Sequence, residues 1–220
     1  MRRVFLALAS VCALAACNPS APAGDNQAAD AGGGLFPDLS RSAYRAEATI
    51  TNPDGETLPV VMIRDGRKMR MEVNAPQGAS TIITNAETGE SFIISNQGGR
   101  TIAIRASGLN EGLTNPVDEW QGELSQDATR TGSCSVAGEN GAEWTKTTEQ
   151  DGTDTVCVTE DGIILRATDD GRVVWETTSV QRGAQSADLF ALPPGVQVMD
   201  LGNMGGMLNE ALEAAKQRNN

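Results

Sequence analysis

Tyr44-Arg45-Ala46-Glu47-Ala48-Thr49-Ile50 and, after one intervening run, Gly66-Arg67-Lys68-Met69-Arg70-Met71-Glu72 decide the fold. In the first, Tyr44, Ala46, Ala48 and Ile50 alternate with Arg45, Glu47 and Thr49. In the second, Met69, Met71 and Val73 alternate with Lys68, Arg70 and Glu72. Side chains that change sides at every residue have the period of a strand with one covered face and one wet face. Asn52-Pro53-Asp54-Gly55 and Asp65-Gly66 are turn sequences, and the apolar run Leu58 to Ile63 lies between them. Outward from this core the style repeats over 81–84, 92–95, 102–105, 142–148, 155–160, 163–168 and 172–180, punctuated by Asp161-Gly162 and Asp170-Gly171. Short runs at roughly 8–12-residue spacing describe an antiparallel meander.

Two segments break the strand rhythm. Asn115-Pro116-Val117-Asp118 supplies an N-cap, a proline at the first helical position and an acid in the first turn. A short helix to about Leu124 then places Val117, Trp120 and Leu124 on one side. The tail from Met204 to Arg218 spaces Met204, Leu208, Leu212 and Ala215 as an amphipathic helix. Residues 107–125 form the longest interruption of the strand pattern, and such insertions often serve function.

Composition removes whole function classes. The 220 residues carry 17 Lys and Arg, 29 Asp and Glu and no His, a formal charge of −12. An acidic chain lacks the basic face of a nucleic-acid binder. Without histidine there is no Ser-His-Asp or Cys-His catalysis and no His-containing zinc site. No glycine-rich dinucleotide loop, P-loop or nucleophile elbow occurs. Asp151, Asp154, Asp169 and Asp170 lack the spacing of a calcium loop and read as turn residues. A non-enzymatic protein with no cofactor and no metal site is expected.

The N-terminus addresses the chain. Met1-Arg2-Arg3 precedes thirteen largely apolar residues, Val4 to Ala16, ending in Leu14-Ala15-Ala16-Cys17. The stretch is too short to span a bilayer, which takes about 20 residues, but it fits a secretory signal. Small residues followed directly by Cys resemble the lipobox of bacterial lipoprotein precursors. The resemblance implies cleavage after Ala16, diacylglycerol on the Cys17 thiol and acylation of the new amino group. Asn18, rather than Asp, follows the cysteine, which by the same resemblance implies the outer membrane, with the domain facing the periplasm. Loss of residues 1–16 takes Arg2 and Arg3 with it and moves the formal charge to −14. Asn18 to Gly34 has almost nothing to bury and reads as a tether, with a root-mean-square reach of roughly 20–25 Å. The division expected is signal peptide 1–16, acylated Cys and tether 17–38, β domain 39–203 and helical tail 204–220.

Of four cysteines, Cys12 leaves with the signal and Cys17 takes lipid. Cys134 and Cys157 remain, 23 positions apart in an oxidising compartment, and are expected to form a disulfide.

The two opening runs, together with Cys157-Val158-Thr159-Glu160-Asp161-Gly162-Ile163 and Asp188-Leu189-Phe190-Ala191-Leu192-Pro193-Pro194-Gly195, resemble LolA/LolB-type domains of the bacterial envelope over roughly residues 40–200. The resemblance implies a mainly β protein: a curved antiparallel sheet of about eleven strands forming an unclosed half-barrel, plugged by helices, with a hydrophobic cavity. It also implies a lipid, an acyl chain or a partner protein as ligand. Tyr44, Met62, Met69, Met71, Phe92, Ile104, Trp120 and Trp175 are the candidate lining of such a cavity, methionine being suited to varied acyl chains. The alternative is a filled core in a scaffolding lipoprotein that docks an envelope protein. Mass spectrometry of the protein isolated from its membrane checks the address: the mature chain should start at Cys17 and carry the acyl mass, and Cys17→Ser should abolish both.

Overall fold

The computed structural model describes residues 35–200 apart from 77, 98, 107–114 and 149–151. The acylation site Cys17, the signal and tether up to residue 34, and the tail helix Met204–Arg218 lie outside the described residues. Twelve strands form one sheet: β1 (Ala43–Thr51), β2 (Thr57–Asp65), β3 (Lys68–Ala75), β4 (Gly78–Asn85), β5 (Glu90–Gln97), β6 (Arg100–Arg105), β7 (Thr129–Val136), β8 (Glu139–Thr148), β9 (Gly152–Val158), β10 (Ile164–Asp169), β11 (Arg172–Arg182) and β12 (Gln197–Asp200). Their spatial order is β12-β6-β5-β4-β3-β2-β1-β11-β10-β9-β8-β7. The meander is therefore joined into one sheet where β1 pairs with β11, in register from Tyr44↔Arg182 to Ile50↔Trp175.

The sheet is curved and does not close, as the resemblance to LolA/LolB-type domains implies. Two strands escape the sequence reading. β12 pairs with β6 in parallel, Gln197↔Ile102 through Asp200↔Arg105, so the sheet is mixed rather than wholly antiparallel. β7 has the sequence TRTGSCSV, with no apolar alternation to announce it. It is held by its ladder to β8, by Thr131 Oγ1–Thr145 Oγ1 at 3.1 Å, and by the Cys134–Cys157 disulfide, which is present. That bridge passes β8 at Gly141, where a Cβ would lie 3.3 Å from Cys134 Sγ and 2.6 Å from the Val158 carbonyl oxygen.

Register partners share a face. Ala46↔Met62↔Met71 therefore stand on one side of the sheet, and the single α-helix of the described residues, α1 (Pro116–Asp127), covers that inner side. Asn115 caps α1, its Oδ1 accepting from the Asp118 N–H at 3.3 Å. Val117 and Leu124 of α1 join Tyr44, Met62, Met69, Val156, Leu165 and Trp175 in the main core. The outer side carries a small second core of Ile83, Ile94 and Ala103, closed by Phe190, Leu192 and Val196. These come from the 3-10 turn Ala187–Phe190 and the segment after it. The Phe-x-Leu-Pro-x-Gly ending is thus a clasp on the outer face of β4–β6, anchored by the Arg70 guanidinium donating to the Leu189 carbonyl at 3.2 Å.

The lead-in segment 35–42 lies against the β9–β10 turn. Gly162, at φ +84°, is required there: a Cβ would overlap the Asp38 carbonyl oxygen and meet Leu39 Cα at 3.1 Å. Loss of the disulfide should cost about 3 kcal/mol, the chain-entropy value for a loop of this size. Denaturant unfolding of Cys134→Ser/Cys157→Ser checks this, and a midpoint unchanged from wild type would show that β7 does not depend on the bridge.

Candidate functional site

Inner-face residues from β1 to β12 form a continuous apolar row: Ala46, Met62, Met71, Ile82, Ile93, Ile104 and Met199 are successive register partners. Its two halves differ. Met62 is 1 % and Met71 9 % exposed beneath α1. Ile82, Ile93, Ile104 and Met199 are only half-buried. The row thus runs from a filled core out to a partly open apolar strip at the β4–β6–β12 end.

The eight candidate lining residues fall into three groups. Tyr44, Met62, Met69, Met71 and Trp175 are brought together in the main core, where they pack against α1 and against one another. Trp120, on α1, stands edge-on to Trp175 with ring centroids 6.2 Å apart. Ile104 lies further along the inner face, on the half-open strip. Phe92 is elsewhere: its register partner Ile83 pairs in turn with Arg70, which places it on the outer face with Arg105 4.9 Å above its ring. The apolar repeat of β5 (Phe92-Ile93-Ile94) is continuous, so alternation gave no means of choosing its side.

A charge sits within this apolar interior. Arg64 is a register partner of Tyr44 and Met69 and has no exposed surface. Its Nη2 donates to Asp118 Oδ1 of α1 at 3.1 Å and to the Gly66 carbonyl at 3.3 Å, while Nε and Nη1 have no partner. Burial pushes the neighbouring Tyr44 phenol up to about 12. The basic residues of β2–β6 are therefore divided between faces rather than gathered in a patch: Arg64 points inward, while Arg70 and Arg105 stand outside and pair with Glu72 and Glu90.

Several clefts are lined by described residues. One of about 640 Å³ lies at the β7–β8 end, between the lead-in segment (Leu35 to Asp38, Arg41) and Arg130, Ala142 and Trp144. A smaller one of about 220 Å³ separates α1 from β9–β11, with Trp120, Leu124 and Val174 beside Glu123, Asp154 and Asp169. There burial, reinforced by Asp169 and Glu123, raises the Asp154 carboxyl. A third, of about 370 Å³, adjoins Arg100, Pro193 and Pro194. Sequence reasoning did not single out Trp144, Arg130 or Phe36; nothing in a strand pattern shows which polar hydrogens will lack an acceptor. Among the described residues no group of three or more His, Cys, Asp or Glu is placed to hold a metal, and no helix is long and apolar enough to cross a membrane.

No protein-family model matches the sequence, and no curated protein matches it. Solved structures with a similar fold include PNGF-II, at 14 % identity and TM-score 0.45 over 72 % of this chain. An uncharacterized conserved protein from Thermus thermophilus matches 73 % of this chain and 91 % of its own, at 13 % identity and TM-score 0.49. The Pseudomonas aeruginosa MucA/MucB complex matches 73 % of this chain, at 14 % identity and TM-score 0.48. The chain spans 31 % of the matched PNGF-II chain and 59 % of that from the MucA/MucB complex.

The best-formed ionic cluster ties strand ends together beside the large cleft. Arg182 donates to Asp161 from Nε at 2.7 Å and from Nη2 at 3.2 Å, and pairs through Nη1 with Glu139 at 2.9 Å. Hydrogen bonding from Arg182 holds the Asp161 carboxyl down to about 2. A depressed acid stabilises the fold above its unfolded pKa, and that contribution is lost as pH falls through the folded value. Acid titration should therefore weaken the fold between about pH 4 and pH 2. Asp161→Asn should remove this part of the dependence and lower stability at neutral pH by about 1 kcal/mol at most, because the pair is open to water. Urea midpoints at pH 7, 4 and 2.5 measure both.

Proposed function

We propose that this chain is a non-catalytic binding protein of the bacterial envelope, held by acylated Cys17 on the periplasmic side of the outer membrane. Its half-barrel takes an apolar ligand, an acyl chain being the best fit, on the open half of the inner face. The observation that carries this reading is the apolar row. Met62 and Met71 are sealed under α1, but the same row continues through Ile82, Ile93 and Ile104 to Met199 with its side chains only half covered. A row of branched aliphatic residues on a curved sheet offers contact without hydrogen-bond specificity, which suits a hydrocarbon chain.

A protein partner is the second reading, and the filled half favours it. Tyr44, Met62 and Met69 are fully or almost fully buried, so on this reading a ligand rests on the strip rather than among the methionines. An apolar segment of an envelope protein can occupy such a strip as readily as a lipid.

A hydrocarbon chain without a phosphate headgroup distinguishes the two, since only the first reading predicts that it binds on the strip. A fatty-acid fluorescent probe should bind the wild type. Ile93→Asp should weaken that binding by about tenfold, equivalent to about 1.4 kcal/mol, with an unfolding midpoint close to wild type. Probe binding that ignores Ile93→Asp would remove the strip as the site.

A further inference from the structure

The 640 Å³ cleft at the β7–β8 end contains donors with nothing to donate to. Arg130 and Trp144 are register partners, so their side chains stand together on one face. Trp144 is 4 % exposed and its indole N–H has no acceptor; the Nε–H of Arg130 is equally buried and equally unbonded. Arg130 forms no ion pair with any described residue, whereas Arg64, Arg70, Arg105, Arg166, Arg172 and Arg182 all do. A buried donor left unmade costs about 1–3 kcal/mol, so two side by side on a cleft call for an acceptor.

We propose that this cleft binds the phosphate of a phospholipid headgroup, its oxygens accepting from Trp144 Nε1 and from the Arg130 guanidinium. Three features select that chemistry. Oxyanions match a guanidinium fork, and charge-assisted bonds of this kind are the strong ones. The same lining carries Asp38 and Glu160 along with Arg41, so its acids disfavour a bare multiply charged anion and suit a phosphodiester with a neutral or cationic remainder. Leu35, Phe36 and Pro37 line the mouth, and Leu35 is 96 % exposed, a large apolar side chain set where an acyl chain would leave the headgroup. Phe36, edge-on to Trp144 at 5.3 Å, is the group that moves aside; it belongs to the lead-in segment, not to the sheet. On the lipoprotein reading that segment is also where the tether joins the domain, but the donor geometry does not depend on that reading.

The test uses the full mature protein, ¹⁵N-labelled at tryptophan, in a neutral maltoside detergent. Three indole N–H signals are expected from its three tryptophans. Dihexanoylphosphatidylethanolamine should shift the Trp144 signal saturably, and Arg130→Gln should weaken that binding at least tenfold. Inorganic phosphate should bind at least tenfold more weakly, and dihexanoylglycerol, which lacks phosphate, should leave the signal in place. An unmoved Trp144 signal, or an equal shift with dihexanoylglycerol, overturns the site; phosphate binding as tightly as the lipid overturns the lipid source. Trp144→Phe assigns the signal, and should that variant fail to fold, the half-buried Arg130 still decides. Ile93→Asp keeps this response if the two sites are separate, so failure of the apolar strip leaves this result interpretable.

Discussion

A positive charge with no exposed surface holds the half-barrel together. Arg64 rises from β2 into the methionine-rich interior, and the carboxylate that answers it, Asp118, is on α1. Such a charge is tolerable only with a partner, and removing one partner from a buried pair is far more destabilising than the pair is stabilising. The pair therefore determines position more than strength. It brings the first turn of α1 to one place on the inner face, where Val117 and Leu124 cover Met62, Met69 and Trp175. Asp118 also sits where the helix N-terminus favours a negative charge. The plug is thus docked by one directional contact and sealed by non-directional burial.

The lead-in segment completes the seal. The Leu39 N–H donates to Gln121 Oε1 of α1 at 2.7 Å, and Ser42 Oγ to the Asp161 carbonyl at 2.6 Å. The chain leading into β1 is therefore bonded to the plug helix and to the β9–β10 turn before the first strand begins. Gly162 permits this because it has no Cβ to strike Asp38. The Asp161–Arg182–Glu139 cluster then fixes the same turn to the ends of β8 and β11.

Strand alternation made most of this architecture legible. Tyr44 to Ile50 and Lys68 to Val73 each have one apolar side, and the structure buries that side. The N-cap and proline before Val117 marked α1 because capping is local chemistry, complete within a few residues. The cysteine count gave the disulfide because compartment and number left one pairing. The failures share a cause: they depend on contacts distant in sequence. β7 is polar on both faces and is a strand because Cys157 and a threonine ladder hold it. β12 is four residues long and exists because β6 has a free edge. Phe92 lies in an apolar triplet, and its side follows from its register with Ile83 and Arg105 on the outer face.

The same distinction explains why the inner face is half closed. On β1–β3 every inner position is apolar save Arg64, so burial there is cooperative, complete from Tyr44 to Ala48 and at Met62 and Met69, and half complete at Ile50, Leu58 and Val73. On β4–β6 the inner positions include Ser80, Thr84, Ser91 and Ser95 beside Ile82, Ile93 and Ile104. Hydroxyls are costly to bury unpaired, and the buried Thr84 and Ser91 are bonded to each other, Oγ1 to Oγ at 3.0 Å. A sheet of this composition keeps a narrow line of isoleucine between polar flanks. That line is too apolar to be an ordinary solvated face. A thin, linear apolar strip is the shape of a single extended chain, and on that ground the open half is better suited to bind than to pack.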